Sequence, residues 1–290
     1  MTPATIDAST AGTWTLGDLT VNRLGFGAMR LTGSAAFNLG TPSDRDGAIA
    51  VLRQAVQLGV NHIDTAAFYF SALRSANELI NRALYPYPEG LVIVTKVGPG
   101  RDPSGTWLPW ARPDQLRGQV EENLRQLGRD HLDVVNLRVD GPGSIADHFG
   151  ALADLRTEGL IRYLGVSGVD IPQLDEAAAI APVVCVQNLY NVARRGDDAI
   201  VDLTAAQGIG YVPYFPLGGM SPVQSEALQA VADRLGATPM AVALAWLLRR
   251  SPNILLIPGT SSVAHLRENV AAAALQLPDD AAAQLDAIGG

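Results

Sequence analysis

Short apolar runs rich in Val, Ile and Leu recur eight times along this chain, at residues 24–29, 61–65, 91–97, 133–139, 164–167, 183–188, 210–216 and 254–259. Each has the length of a fully buried strand and ends in a polar or glycine-rich turn. Between them lie Ala, Leu, Arg and Glu segments of helical period, at 46–57, 77–84, 113–127, 145–156, 173–179, 197–206 and 225–235. Strands separated by helices must pair in parallel, because each helix carries the chain back to the starting edge. Eight such units within 290 residues match the arithmetic of an α/β fold of the (β/α)8 TIM barrel type, expected as one domain over residues 1–290. An open doubly wound sheet is the alternative. It would need a phosphate-binding turn after its first strand, and Gly25-Phe26-Gly27 lacks the third glycine and the helix that such a turn requires.

Ahead of the first run, residues 13–16 and 19–21 flank Gly17-Asp18, a dipeptide suited to a positive-φ turn. This predicts an N-terminal β-hairpin closing the barrel floor. The longest irregular stretch, 98–112, follows the third run and carries Trp107, Pro109 and Trp110; a second loop, 217–222, follows the seventh. Loops after barrel strands form the functional face, and long ones are usually functional.

Composition narrows the partners. With 21 Lys and Arg against 29 Asp and Glu, the net charge of −8 opposes binding to nucleic acid or to an anionic membrane surface. The single cysteine, Cys185, can form no internal disulfide, and the four histidines have no ligand spacing that would build a metal site. The stretch from Met1 to Gly12 lacks a basic segment followed by an apolar one, so no signal peptide is expected. A cytoplasmic location and a monomer or weak homo-oligomer are the corresponding expectations.

Chemistry concentrates at the ends of the second and third runs. Asp64 lies near the end of Asn61-His62-Ile63-Asp64-Thr65, Tyr69 lies five residues beyond it, and Lys96 lies inside the run that begins at Leu91. Singly, an Asp caps a turn, a Tyr walls a core and a Lys reaches solvent. Together at adjacent strand tops they form a proton donor. A phenol with a pKa near 10 is a weak acid at neutrality, and a neighbouring ammonium is expected to lower that value. Asp64 is expected to pair with Lys96 and hold it charged.

The segments Leu24-Gly25-Phe26-Gly27-Ala28-Met29, Asn61-His62-Ile63-Asp64-Thr65, Thr95-Lys96-Val97, Leu164-Gly165-Val166-Ser167, Val186-Gln187-Asn188-Leu189-Tyr190-Asn191 and Ile257-Pro258-Gly259-Thr260 occur in an order that resembles the aldo-keto reductases over essentially the whole chain. Ala83-Leu84-Tyr85-Pro86-Tyr87 and the stretches 132–139, 213–219 and 235–269 are most similar to the bacterial pyridoxal reductase branch of that family. The resemblance implies a catalytic tetrad carried by Asp64, Tyr69, Lys96 and, by its position in the fourth run, Arg138. Arg138 stands where the general pattern has His. A guanidinium donates hydrogen bonds and does not shuttle protons at neutral pH, which leaves Tyr69 as the acid. The other reading of Arg138 is an ion pair with Asp140 or Asp64.

The resemblance further implies NADP(H), laid across the barrel mouth. Ser167 and Gln187 would hold the carboxamide, with Gly168 where the family usually has Asn; Tyr214 would stack on the ring. Leu217, Gly218 and Gly219 would line the pyrophosphate, and Gly27, Ala28 and Met29, together with Asp64, would close on the nicotinamide ribose and its surroundings. Gly259, Thr260, Ser261, Ser262 and His265 match the 2′-phosphate position, and Glu268 and Asn269 the adenine position. A helix N-terminus capped by Ser261 or Ser262 is compatible with the same role. Phe26, Phe68, Trp107, Trp110 and Tyr190 would wall the pocket of a small-molecule carbonyl substrate. The implied activity is reduction of an aldehyde, with pyridoxal to pyridoxine as the specific expectation. A broad aldehyde and ketone reductase and a catalytically weak NADP-sensing binding protein are the alternatives.

Overall fold

In a computed structural model, residues 6–34, 39–218 and 225–288 are described. The hairpin forms as β1 (Thr13–Leu16) and β2 (Leu19–Asn22), paired antiparallel with Leu16 opposite Leu19. Gly17 has φ +68, and a Cβ there would lie 2.2 Å from the Tyr163 ring, so both the turn and its docking need glycine. Asp18 fastens the turn from outside, accepting from Arg162 at 2.8 Å and from the Tyr163 hydroxyl at 2.8 Å.

Seven strands follow in parallel and in sequence order: β3 (Phe26–Gly27), β4 (His62–Asp64), β5 (Val92–Val97), β6 (Leu132–Arg138), β7 (Ile161–Ser167), β8 (Val183–Leu189) and β9 (Gly210–Tyr214). The eighth expected run, around 254–257, closes the ring through parallel bridges from Tyr211 to Ile254 and from Leu24 to Leu256. Its amides continue both ladders: Leu255 N–H donates to Tyr211 O at 2.8 Å and Leu256 N–H to Arg23 O at 2.7 Å. The expected (β/α)8 barrel is therefore the observed fold. The first run contributes less strand than its apolar length predicts, because Ala28–Thr32 turns into a 3-10 helix immediately after Gly27.

Crossover helices α1 (Arg45–Gln57), α2 (Ala76–Leu84), α3 (Leu116–Leu127), α4 (Ala146–Thr157), α5 (Ile171–Ile180), α6 (Asp198–Gln207) and α7 (Glu226–Leu235) occupy the predicted segments. Their starts are set by local chemistry. The Asp44 carboxylate accepts from Gly47 N–H ahead of α1, and Asp170 and Gln173 form a reciprocal capping box ahead of α5. Three further helices, α8 (Pro239–Arg250), α9 (Val263–Ala271) and α10 (Asp279–Asp286), complete the outer layer. No single helix among the described residues is long and apolar enough to cross a membrane.

Two apolar layers result. The larger lies between strands and helices, with Trp246, Phe149 and Leu52 fully buried. The smaller fills the lumen, where Val92, Val94, Val134, Cys185, Val212 and Leu255 meet Leu16 and Val21 from the hairpin. The hairpin thus seals the lumen at the end opposite the loops. Leu16 is 1% exposed, so Leu16→Ala would leave a void at the bottom of this layer. The expected outcome is a loss of about 2–4 kcal/mol in stability, read from the denaturation midpoint in urea.

Candidate active site

Strand register gathers the functional side chains at one end of the barrel. Gly27 lies opposite Asp64, Arg138 opposite Ser167, and Ser167 opposite Gln187, all at or near the C-terminal ends of their strands. They surround a cavity of about 550 Å³ whose wall also includes Tyr69, Lys96, Tyr214 and Gly259.

At its base Lys96 Nζ donates to Asp64 Oδ1 at 2.6 Å and to Thr65 O at 3.0 Å, with both charged side chains almost wholly buried. Asp64 Oδ2 accepts from Gln187 Nε2 at 2.7 Å, so a strand across the lumen holds the second carboxylate oxygen. Burial, the largest single influence, would lower the lysine pKa, but the Asp64 carboxylate and Tyr69 together outweigh it and hold the ammonium charged above its ordinary range. The expected pairing of Asp64 with Lys96 is observed.

The expectation for Tyr69 needs correction. Lys96 Nζ lies 5.0 Å from the phenol ring centroid and its charge does favour phenolate, but burial of the ring favours the neutral phenol more strongly. The net shift is upward, reinforced by the Asp64 charge. Tyr69 therefore keeps its proton throughout the neutral range.

Arg138 reaches into the same cavity. Nη1 donates to Ser167 Oγ at 3.2 Å and Nη2 to the Tyr214 hydroxyl at 3.5 Å, with the guanidinium carbon 5.0 Å from the Tyr214 ring centroid. Among the described residues it forms no ion pair with Asp140, Asp64 or any other carboxylate. Gly168 makes room for it: a Cβ at that position would lie 2.7 Å from Arg138 Nη1, on a backbone with φ +72.

Other anticipated residues divide. Phe68, Trp107 and Trp110 wall the cavity, Phe68 meeting Trp107 edge to face at 5.7 Å between centroids. Phe26 and Tyr190 do not reach it. Both are fully buried, and Tyr190 packs on Trp246 while its hydroxyl donates to Asp198, so each serves the outer core. Met29, Ser167, Tyr214 and Leu217 line the wall, whereas Ala28 is buried behind it. Gly218 N–H donates to Phe215 O at 2.9 Å, which commits that amide to the turn. Gly219 lies outside the described residues. Beyond Gly259, Thr260 Oγ1 accepts from Ser262 N–H at 3.1 Å, and Ser262 caps α9. Ser261, His265 and Glu268 are exposed on this rim, and Asn269 is buried beneath it.

Two contributors carry little or no signal in the linear sequence. Arg101 Nη1 donates to Phe68 O and Phe70 O, each at 3.1 Å, stapling the loop after β4 to the loop after β5. A buried chain of hydrogen bonds from Thr65 through Asn77 and Asn123 to Thr95 fixes the same two strands from behind. Only the spacing of Asn77 and Asn123 on inward helical faces hints at it.

The fit of a nicotinamide can be tested on one atom. Gln187 Oε1 is buried at the cavity wall with no hydrogen-bond partner, and a carboxamide N–H is a donor of the kind it lacks. Tyr214, partly exposed on the same wall, offers the flat face such a ring requires. The residues therefore fit the group. Among the described residues no cluster of His, Cys, Asp and Glu is arranged to hold a metal.

Removing Lys96 would leave Asp64 charged, buried and unpaired. Lys96→Met is expected to lower stability by about 3–5 kcal/mol at neutral pH. Because the folded-state lysine pKa is raised, the contribution of the pair is full below the ordinary lysine value and is lost as pH rises through the higher folded value. Urea titrations of both proteins across the alkaline range would show the gap between them closing.

Similarity to known proteins agrees with this geometry. The chain is 55% identical over 285 residues to pyridoxine 4-dehydrogenase of Escherichia coli strain K12, an alignment that covers 96% of this chain and 98% of the relative. A thermostable aldo-keto reductase crystallised with the inhibitor epalrestat superposes with a TM-score of 0.81 at 31% identity, covering 96% of this chain and 99% of that one. An aldo/keto reductase from Klebsiella pneumoniae in complex with NADP and acetate superposes with a TM-score of 0.78 at 27% identity, covering 95% of this chain and 94% of that one. The sequence model described as the aldo/keto reductase family matches residues 23–289, and the chain belongs to that family.

Proposed function

We propose that this oxidoreductase uses NADPH to reduce an aldehyde, pyridoxal to pyridoxine in particular, with Tyr69 as the proton donor. The observation that carries the reading is the Tyr69 phenol beside a buried Lys96–Asp64 pair, on the same cavity wall as the orphaned Gln187 oxygen. When bound, the dinucleotide supplies hydride to the carbonyl carbon. Gln187 and Ser167 hold its carboxamide, Tyr214 supports its ring, and the exposed edge around Ser262 and His265 receives its adenosine phosphate. Tyr69 and Arg138 direct hydrogen bonds at the substrate oxygen. As the new C–H bond forms, the carbonyl π pair moves onto oxygen and takes the Tyr69 proton. Lys96 then lies beside the phenolate left behind and stabilises it. Every step reverses for oxidation of the alcohol.

The relative from Escherichia coli, named for action on pyridoxine, supports the vitamin B6 substrate, and the cavity supports a flat one. Phe68, Trp107 and Trp110 line the cavity beside Tyr69 and supply its aromatic wall. General acid catalysis contributes about two to four powers of ten in rate. Tyr69→Phe is accordingly expected to lower kcat for pyridoxal reduction by at least about a hundredfold while NADPH binding, followed by fluorescence quenching, stays within about twofold. Since burial raises the phenol pKa, wild-type kcat should hold across neutral pH and fall only on the alkaline side. Undiminished turnover in Tyr69→Phe would remove the residue from this role. Equal activity on pyridoxal and on unrelated aldehydes would keep the mechanism and replace the specific substrate with a broad range.

A further inference from the structure

Arg138 carries a positive charge on the cavity wall, yet among the described residues its side-chain hydrogen bonds go only to two neutral oxygens, at 3.2 Å and 3.5 Å, and its other contact is the Tyr214 ring. Both contacts are at or beyond the long end of N–H···O distances, and a guanidinium has five N–H donors to place. Neither acidic lining residue, Asp64 or Asp140, forms an ion pair with it. The guanidinium occupies the place a side chain at Gly168 would take, since a Cβ there would lie 2.7 Å from Nη1 and 3.2 Å from the guanidinium carbon. The charge is felt at the Tyr69 phenol, where it favours the ionised form. A half-buried cation kept free of carboxylates, close to the proton donor and between aromatic walls, is a receptor for an anionic oxygen on the substrate.

Resting on the reductase reading above, we propose that Arg138 selects aromatic aldehydes that carry an ionised hydroxyl on the ring carbon next to the aldehyde. With the carbonyl oxygen held by Tyr69 and one N–H of Arg138, an oxygen at the adjacent ring position is the one that the remaining N–H donors of the guanidinium can share. The chemistry gives a reason for a permanent cation here. A ring oxyanion conjugated to the aldehyde pushes electron density onto the carbonyl carbon and makes it a poorer hydride acceptor. A guanidinium bound to that oxyanion draws the density back. In the balanced step the aldehyde is reduced, NADPH is oxidised to NADP+, Tyr69 supplies the proton, and the ring oxygen keeps its charge on Arg138 throughout. Pyridoxal carries a hydroxyl in this position.

The test compares NADPH-dependent reduction of salicylaldehyde, ortho-methoxybenzaldehyde and para-hydroxybenzaldehyde by the wild-type protein. Charge-assisted hydrogen bonds are worth roughly tenfold or more in affinity. The expected result is a kcat/KM for salicylaldehyde about tenfold above that for the methoxy compound, widening as pH rises through ionisation of the phenol. The para compound, equally able to ionise but unable to reach Arg138, should show no such advantage. Arg138→Met should collapse the ratio of the two ortho compounds toward one, and Arg138→Lys should restore part of it. Equal values for the ortho pair in wild type, or a ratio that survives Arg138→Met, would overturn the assignment while leaving the reductase intact. No turnover of any aldehyde, pyridoxal included, would overturn the reductase reading and this one with it.

Discussion

The ion pair between Lys96 and Asp64 is the constraint around which the barrel mouth is organised. Two opposite charges almost without solvent contact persist only if every hydrogen-bonding position on each is used or aimed at a partner. Asp64 spends one oxygen on Lys96 and the other on Gln187, and Lys96 adds the carbonyl of Thr65. Those bonds join β4 and β5 to β8 on the other side of the lumen. Strand ends that would otherwise fray into loops are therefore fixed relative to one another, and Tyr69 inherits its position from them. The hydrogen-bonded chain of Thr65, Asn77, Asn123 and Thr95 locks the same region from the helix side.

Arg138 and Gly168 show a second kind of dependence, between substitution and space. Each departs from the pattern of the family that the chain resembles, and on paper each looks like a separate loss. In the fold they are neighbours, because a Cβ on Gly168 would lie 2.7 Å from Arg138 Nη1, so a side chain there would displace the guanidinium, and the φ of +72 itself favours glycine.

The barrel was legible because its signal is repeated: eight apolar runs and the helices between them each report the same topology, and parallel closure follows from their order. The hairpin was legible from Gly17-Asp18 for the same local reason. Pocket membership was harder to read. Phe26 and Tyr190 neighbour functional segments in sequence, but side chains along a strand alternate between lumen and outer layer, and these two end in the outer core. The Tyr69 shift was misjudged because a neighbouring charge is visible in a sequence while burial is a property of the assembled fold. Arg101 could not be found at all from its surroundings, since what it binds are main-chain carbonyls of a distant loop and any residue type supplies those. The helix start expected at Ser261 or Ser262 is observed, with Ser262 as the cap of α9, while α8 begins behind an equally ordinary cap, Thr238.

The hairpin beneath the lumen decides from which side the buried ion pair is reached. With Leu16 and Val21 packed into the bottom layer, the way to Asp64 and Lys96 lies at the opposite end, where the cavity opens among the loops that follow the strands.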